Sequence, residues 1–208
     1  MKHSILLAPV FVLLFCYYYS NNSSKISAGD FIFSSFNAQK DDFFSIIILK
    51  PLPAKTSIYF TDAEWDGSKF GNDESVMHWQ TGDSIIPIAT EIHFYSTKKQ
   101  AKASVGTVDK LLKIARSNEA IFAYTGRKRV PKHFISAVAT HKDAYGTLLN
   151  TNLKEGTTAI TFPQGTYYFE LKAKDMDTFK NIRLRNYVYK SINKPISCIQ
   201  KTIEYQII

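Results

Sequence analysis

The sequence predicts an all-β chain, an antiparallel β-sandwich or barrel preceded by an N-terminal signal segment. Three observations point there. Short apolar and aromatic runs recur between turn residues from Gly29 onward. β-Branched and aromatic types dominate those runs. One further apolar block, Ile5 to Cys16, stands apart behind a basic start and ahead of a polar stretch. With 208 residues, 45% apolar and 14% aromatic content, the chain can bury one core of ordinary size, while two domains would be cramped. Residues 28–208 are therefore expected to form a single β-sandwich domain.

The N-terminal part comes first in order. Met1-Lys2-His3 is basic, Ile5 to Cys16 is apolar, and Tyr17 to Ser24 is polar and aromatic, the three-part form of an export signal. Residues 1–19 are read as a signal peptide or lipoprotein signal and residues 20–27 as a polar linker. The alternative is a buried strand or helix of the domain, for which this terminal block has few core neighbours in sequence. Leu13-Leu14-Phe15-Cys16 resembles a bacterial lipobox, which makes Cys16 the candidate lipidation residue, although Phe15 stands where a small residue is usual. Left uncleaved, the segment would be a membrane anchor, and twelve residues are short for a span. Asn21-Asn22-Ser23 and Asn22-Ser23-Ser24 are overlapping glycosylation sequons, relevant only in a eukaryotic secretory host. The expected location is secreted or cell-surface, free or as a membrane-anchored lipoprotein. The chain has 2 cysteines, and Cys16 is either removed or acylated, so Cys198 has no intrachain partner. Neither a disulfide scaffold nor a four-thiolate zinc site can be built, and stability rests on the core.

The body follows as strands. Phe31, Phe33 and Phe36 flank Ser34-Ser35, and Phe43 to Leu49 is a continuous apolar run suited to a strand buried on both faces. Pro51-Leu52-Pro53 breaks the ladder, because proline lacks the donor that a central strand needs. Ser57 to Thr61 is the next strand, and Asp62 opens a polar loop. Later strands are expected over 76–79, 91–96, 120–125, 133–140, 158–162 and 166–171. Residues 109–116 stay open by periodicity: an Asp109-capped helix with Leu111, Leu112 and Ala115 on one face, or a strand with Leu112 and Ile114 inward.

The residues also resemble a β-rich module of bacterial secreted and surface proteins, sometimes placed beside nuclease, phosphatase or repeat domains. The matching stretches are Ala28-Gly29-Asp30-Phe31-Ile32-Phe33 with Phe36-Asn37, then Asp41-Asp42-Phe43-Phe44-Ser45, and Pro53-Ala54-Lys55-Thr56 leading into Phe60-Thr61-Asp62-Ala63-Glu64-Trp65. Phe70, Glu74, Trp79, Ile121 to Gly126, Pro131, Phe134 to Val138, Gly156 to Ala159 and Ile192-Asn193-Lys194-Pro195 continue it in order. The resemblance implies an immunoglobulin-like or lamin-tail-like sandwich and tips residues 109–116 toward strand. It implies no catalytic residues. Two departures stand out: Lys55 replaces a turn glycine, so a positive φ is disfavoured there and the turn is expected to differ in type, and Cys198 falls near a closing tryptophan.

Two charge features carry the candidate sites. Asp62, Glu64, Asp66, Asp73, Glu74 and Asp83 crowd a Gly-punctuated loop opposed only by Lys69, and hard cations take oxygens from such loops. Asp62, Asp66, Asp73 and Glu74 are the candidate ligands and calcium the candidate cofactor. The spacing does not fit an EF-hand loop, and a solvated polar loop is the bland alternative. The second feature is charge segregation: residues 28–97 carry 4 basic and 10 acidic groups, whereas residues 98–132 carry 10 and 2. Arg127, Lys128, Arg129 and Lys132 form the tightest basic cluster, beside Tyr124, and are the candidate anion-binding residues. Neutralisation by neighbouring acidic segments is the alternative. The partners expected are an anionic polymer (polysaccharide or extracellular nucleic acid), anionic lipid or a surface protein, with the membrane reached only through the N-terminal segment or a lipid anchor.

Enzyme chemistry has weaker support. His78, His93, His133 and His141 are dispersed, and no nucleophile elbow, phosphate loop or His-Glu-x-x-His helix occurs. Asp41, Asp42, Asp62 and Glu74 could supply carboxylates for an extracellular hydrolase of nuclease, phosphatase or glycosidase type, which geometry would decide. Trp65, Trp79 and Tyr167-Tyr168 could form a stacking platform for sugars, though aromatics at alternating positions are usually core. The reading is an exported, non-catalytic binding or interaction module; a hydrolase and a purely structural surface protein are the alternatives.

Overall fold

The computed structural model describes residues 25–37, 43–97, 100–162 and 168–170. Cys16 and the rest of the expected signal segment, Asp41-Asp42, Tyr167 and Cys198 lie outside the described residues.

The described chain is all-β apart from one 3-10 turn, Lys142–Tyr145. Eleven strands form two sheets. In chain order they are β1 Phe31–Asn37, β2 Phe43–Ile48, β3 Ser57–Thr61, β4 Val76–Gln80, β5 Glu91–Thr97, β6 Gln100–Ala103, β7 Thr107–Val108, β8 Ala120–Arg127, β9 Val130–Ala139, β10 Ala159–Thr161 and β11 Tyr168–Glu170. One sheet runs β11-β1-β2-β5-β6 and the other β10-β9-β8-β3-β4-β7, an open, sandwich-like pair rather than a closed barrel. Among the described residues no helix is long and apolar enough to cross a membrane.

Alternation builds the interface between the sheets. Phe33 and Phe44 from one sheet meet Phe60 of the other, and Phe94 stacks on Phe44 at 4.7 Å while Trp79 meets it edge-on at 5.2 Å. These rings are essentially without solvent exposure. The run Phe43 to Ile48 is buried on both faces from Phe44 on, as its unbroken apolar character predicts. A bulge between Phe33 and Ser35 turns the serines out of register.

A second apolar cluster lies on the opposite face of the β3-β8-β9 sheet. Trp65, Phe70 and Leu153 come from loops and cover Phe122, Tyr124 and Phe134 of β8 and β9. Trp65 is pinned by its indole N–H to Leu149 O at 2.8 Å. Gly146 makes this close approach workable: its φ is +70°, and a Cβ there would stand 2.5 Å from Trp65 O. Both tryptophans are thereby core, Trp79 at 0% and Trp65 at 5% exposure, which removes them from any stacking platform.

Three expectations need correction. Residues 110–115 are neither helix nor regular strand: they run as an irregular stretch with Leu112 and Ile114 buried, and Asp109 caps backbone N–H groups of His78 and Lys110 instead of a helix. The turn at Lys55 does keep a positive φ, 55°, because its N–H donates to Gly82 O at 2.9 Å and Thr56 is held by Thr81 and Pro53. Not every pairing is antiparallel: β10 joins β9 in parallel, reached by a crossover through the 3-10 turn and the loop after it. The short strands β6 and β7 have no apolar run to announce them and were not expected.

Candidate metal centre

Register brings three distant carboxylates together. Thr61, the last residue of β3, pairs with Val76, the first of β4, on one side and with Phe122 of β8 on the other. Asp62, one residue beyond the strand, therefore stands between the approaches to its two neighbours, where Glu74 and Glu119 sit. One carboxylate oxygen from each of Asp62, Glu74 and Glu119 lies within 4.8 Å of the other two. Oxygens bound to a common calcium at about 2.3–2.6 Å cannot lie farther apart than roughly 5 Å, so the spacing fits such an ion.

Local structure fixes each side chain. Thr61 Oγ1 donates to Ser75 O at 2.8 Å and accepts from Ala63 N at 3.2 Å, which clamps the backbone on either side of Asp62. Glu119 N donates to Thr140 Oγ1 at 3.0 Å, and a Glu119 carboxylate oxygen accepts the Ala115 N–H at 2.6 Å. Arg129 donates through its guanidinium to Gly71 O and Glu74 O, tying the tip of the β8–β9 hairpin to the loop that carries Glu74.

The electrostatics are unfavourable without a counter-ion. Asp62 is 7% and Glu119 5% exposed, while Glu74 opens to solvent. Asp62 Oδ1 is buried with no hydrogen-bond partner. Burial, reinforced by the charges of Asp62 and Glu74, pushes the Glu119 carboxyl up to about 8. Burial together with Asp62, Asp73 and Glu64 raises Glu74 to about 7, partly countered by Arg129. Burial also raises Asp62, opposed by the backbone N–H groups of Asp62 and Ser75 and then by the charges of Lys110 and Arg129. Three acids sharing one small space, each with its carboxyl pushed upward, is the arrangement a bound cation relieves.

Of the four predicted ligands, Asp62 and Glu74 join the cluster. Asp66 does not: its Oδ1 caps the following turn, accepting from Ser68 N, Ser68 Oγ and Lys69 N at 2.7–2.8 Å, bonds that hold its carboxyl below the usual range. Asp73 is exposed, is not among the three clustered acids, and acts on Glu74 through its charge. Glu119 was missed. It lies far along the chain in the basic segment, and only the pairing of β8 with β3, which no local signal reveals, brings it to Asp62.

The candidate basic residues lie on the β8–β9 hairpin. Arg129 is engaged with the loop carbonyls, and Arg127 and Lys128 stay exposed on the hairpin. Lys132 lines a separate cavity of about 410 Å³ with Lys25, Trp65, His133 and Asn152. The histidines do not converge. His78 stacks on Tyr59 at 4.7 Å and reaches Ser57 Oγ at 3.2 Å, and His141 Nδ1 lies 3.1 Å from Thr140 Oγ1. His133 belongs to β9, whereas His141 follows that strand's far end.

No family model, no curated protein and no solved structure matches the chain.

Proposed function

We propose that the chain is an exported, non-catalytic binding module with an immunoglobulin-like or lamin-tail-like sandwich, working at the cell surface or outside the cell. A divalent cation, calcium in that setting, organises its ligand-facing loops. The observation that carries this reading is the meeting of Asp62, Glu74 and Glu119, with Asp62 Oδ1 buried and unpartnered among them. Calcium takes six to eight oxygens at about 2.3–2.6 Å, and three carboxylates supply up to six of them. The ion would join the loop after β3, the approach to β4 and the residue before β8.

The hydrolase reading has one supporting observation, since carboxylates about 5 Å apart are also the geometry of retaining glycosidases. Reach argues against it. Asp62 and Glu119 are buried and only Glu74 meets solvent, so a scissile bond could not lie between two working carboxyl groups.

The test is the melting temperature of the full chain with calcium and with chelator. A rise that saturates with calcium is expected, because an ion that binds the folded state alone stabilises it by mass action. An unchanged melt overturns the cation reading. Hydrolysis of an aryl phosphate or glycoside, lost in Glu74→Gln, would replace the binding reading with the enzymatic one.

A further inference from the structure

Trp65 and Phe134 of the second apolar cluster also wall the cavity of about 410 Å³ that Lys132 lines. Three segments far apart in the chain close around it: residues 25–28 ahead of β1, Pro131 to Phe134 in β9, and residues 150–152 of the loop after the 3-10 turn. Hydrogen bonds hold them together. Gly29 N donates to Ile135 O at 2.8 Å, which ties the first segment to β9, and Asn150 Nδ2 donates to Gly67 O at 2.9 Å, which ties the loop to the turn beside Trp65. The volume falls in the range of small-molecule sites, about 300–1,000 Å³, and the lining mixes apolar walls with a few polar groups as such sites do.

The charge on this lining has one sign. Lys25 and Lys132 contribute to it, and no Asp or Glu does. The acids nearby in the chain are already engaged: Asp30 lies 3.8 Å from Lys50 Nζ, Glu155 lies 3.3 Å from Lys142 Nζ, and Asp66 is bonded within its own turn. Among the described residues neither Lys25 nor Lys132 has a carboxylate within 4.0 Å. The side-chain amide of Asn152, also on the lining, has no hydrogen-bond partner among them. His133 stands on the same wall, and its buried Nε2 is unpartnered. Burial, then the charges of Lys25 and Lys132, hold its imidazolium below the usual range, so both lysines act on one point of the wall.

We propose that this cavity binds a small organic anion, its charged oxygens held by Lys25 and Lys132 and its carbon skeleton resting on Pro131, Phe134 and Trp65. Two ammonium groups without counter-charge favour a doubly charged ligand over a singly charged one, a chemistry that phosphate monoesters and dicarboxylates share. The lysines and Asn152 are exposed, so a ligand reaches them from solvent. None of the lining residues belongs to the carboxylate cluster, and the inference stands apart from the cation reading.

The experiment is calorimetric titration of the full chain, in chelator at pH 8, with phenylphosphonate and with phthalate, both doubly charged there. Singly charged benzoate and neutral benzyl alcohol serve as comparisons. Expected is binding of at least one dianion, weaker binding of benzoate and none of benzyl alcohol; the tighter of the two dianions tells a phosphate source from a carboxylate one. Lys25→Ala and Lys132→Ala should each weaken the dianion about fivefold, the scale of one solvent-exposed ion pair. Arg127→Ala, on the hairpin but not on the lining, should leave its affinity unchanged. Melting temperatures of the three variants, expected to match that of the unsubstituted chain, separate a lost contact from a lost fold. Absence of binding by both dianions at millimolar concentration overturns the proposal. Benzyl alcohol binding as tightly as the dianions overturns the anion class, and equal weakening by Arg127→Ala overturns the cavity as the site.

Discussion

Of the regions that bury carboxylates, two treat them in opposite ways. Glu91, at the start of β5, has a side chain only 4% exposed, yet its Oε1 accepts hydroxyl bonds from Ser34 and Ser45 at 2.9 Å, and His93 Nε2 lies 3.7 Å from its Oε2. Ser35 joins through Ser45, so hydroxyl groups of neighbouring strands surround the acid. At Asp62, Glu74 and Glu119 the carboxylates crowd one another: Glu119 accepts the Ala115 N–H and Arg129 offsets part of the charge, but Asp62 Oδ1 is buried without a hydrogen-bond partner. Burying an acid with its donors builds a stable structure; burying acids against one another stores unfavourable energy that a ligand can release.

The largest expected effect breaks this contrast from the metal side. At a calcium concentration a hundredfold above Kd, linkage contributes about 2.7 kcal/mol, which for a chain of this size is a melting shift of roughly 5–10 °C. The double variant Asp62→Asn, Glu119→Gln should abolish the shift and, in chelator, melt above the unsubstituted protein. A double variant that still responds to calcium would place the ion elsewhere.

Titration sharpens the same contrast. Glu119 and Glu74 hold protons in the folded state up to about 8 and about 7, against 4.5 for an ordinary glutamate. A carboxyl whose folded value is raised favours the folded state at and below the unfolded value and loses that contribution as pH rises through the folded one. In chelator, stability should therefore fall between about pH 4.5 and 8, and calcium should cancel most of the fall. Equilibrium unfolding at pH 5 and pH 8 measures it, and a flat profile in chelator would contradict the clustering of charge.

On the serine side, Ser45→Ala removes a hydroxyl bond to a charged group and should cost about 2 kcal/mol, the usual magnitude for such a bond. The loss should be the same with calcium and with chelator, which denaturant unfolding would show. Calcium rescue of Ser45→Ala would mean that the two regions are coupled.

The smallest effect concerns the hairpin strap. Arg129→Ala frees Gly71 O and Glu74 O, loosening the loop without touching a ligand oxygen. Calcium affinity should drop about fivefold, roughly 1 kcal/mol, with little change of melting in chelator. A calcium titration followed by tryptophan emission would read it, since Trp65 packs within the same loop layer.

Much of the strand framework was legible because period-two alternation is a local signal. Phe31 to Asn37, Phe43 to Ile48 and Ser57 to Thr61 follow from their own residue types, and Val76 to Gln80 and Ala120 to Arg127 fall within a residue or two of expectation. The short strands β6 and β7 were not, because each is held by its neighbour's edge rather than by apolar residues of its own. Residues 110–115 show the limit from another side: Leu112 and Ile114 alternate inward as in a strand, but no ladder forms.

The candidate site divides along the same line. By itself the sequence determined an all-β chain with a dense acidic loop after Thr61, because both properties belong to contiguous residues. It placed Asp62 and Glu74 in one loop, but it could not distinguish them from Asp66, whose carboxylate is used up by its own turn. Only the tertiary structure decided that Glu119 joins the cluster and that Arg129 is bonded to the loop carbonyls. The reason is strand order: β8 lies next to β3 although four strands separate them in the chain, and the energy of that pairing is spread over the whole buried interface, not written in any one segment.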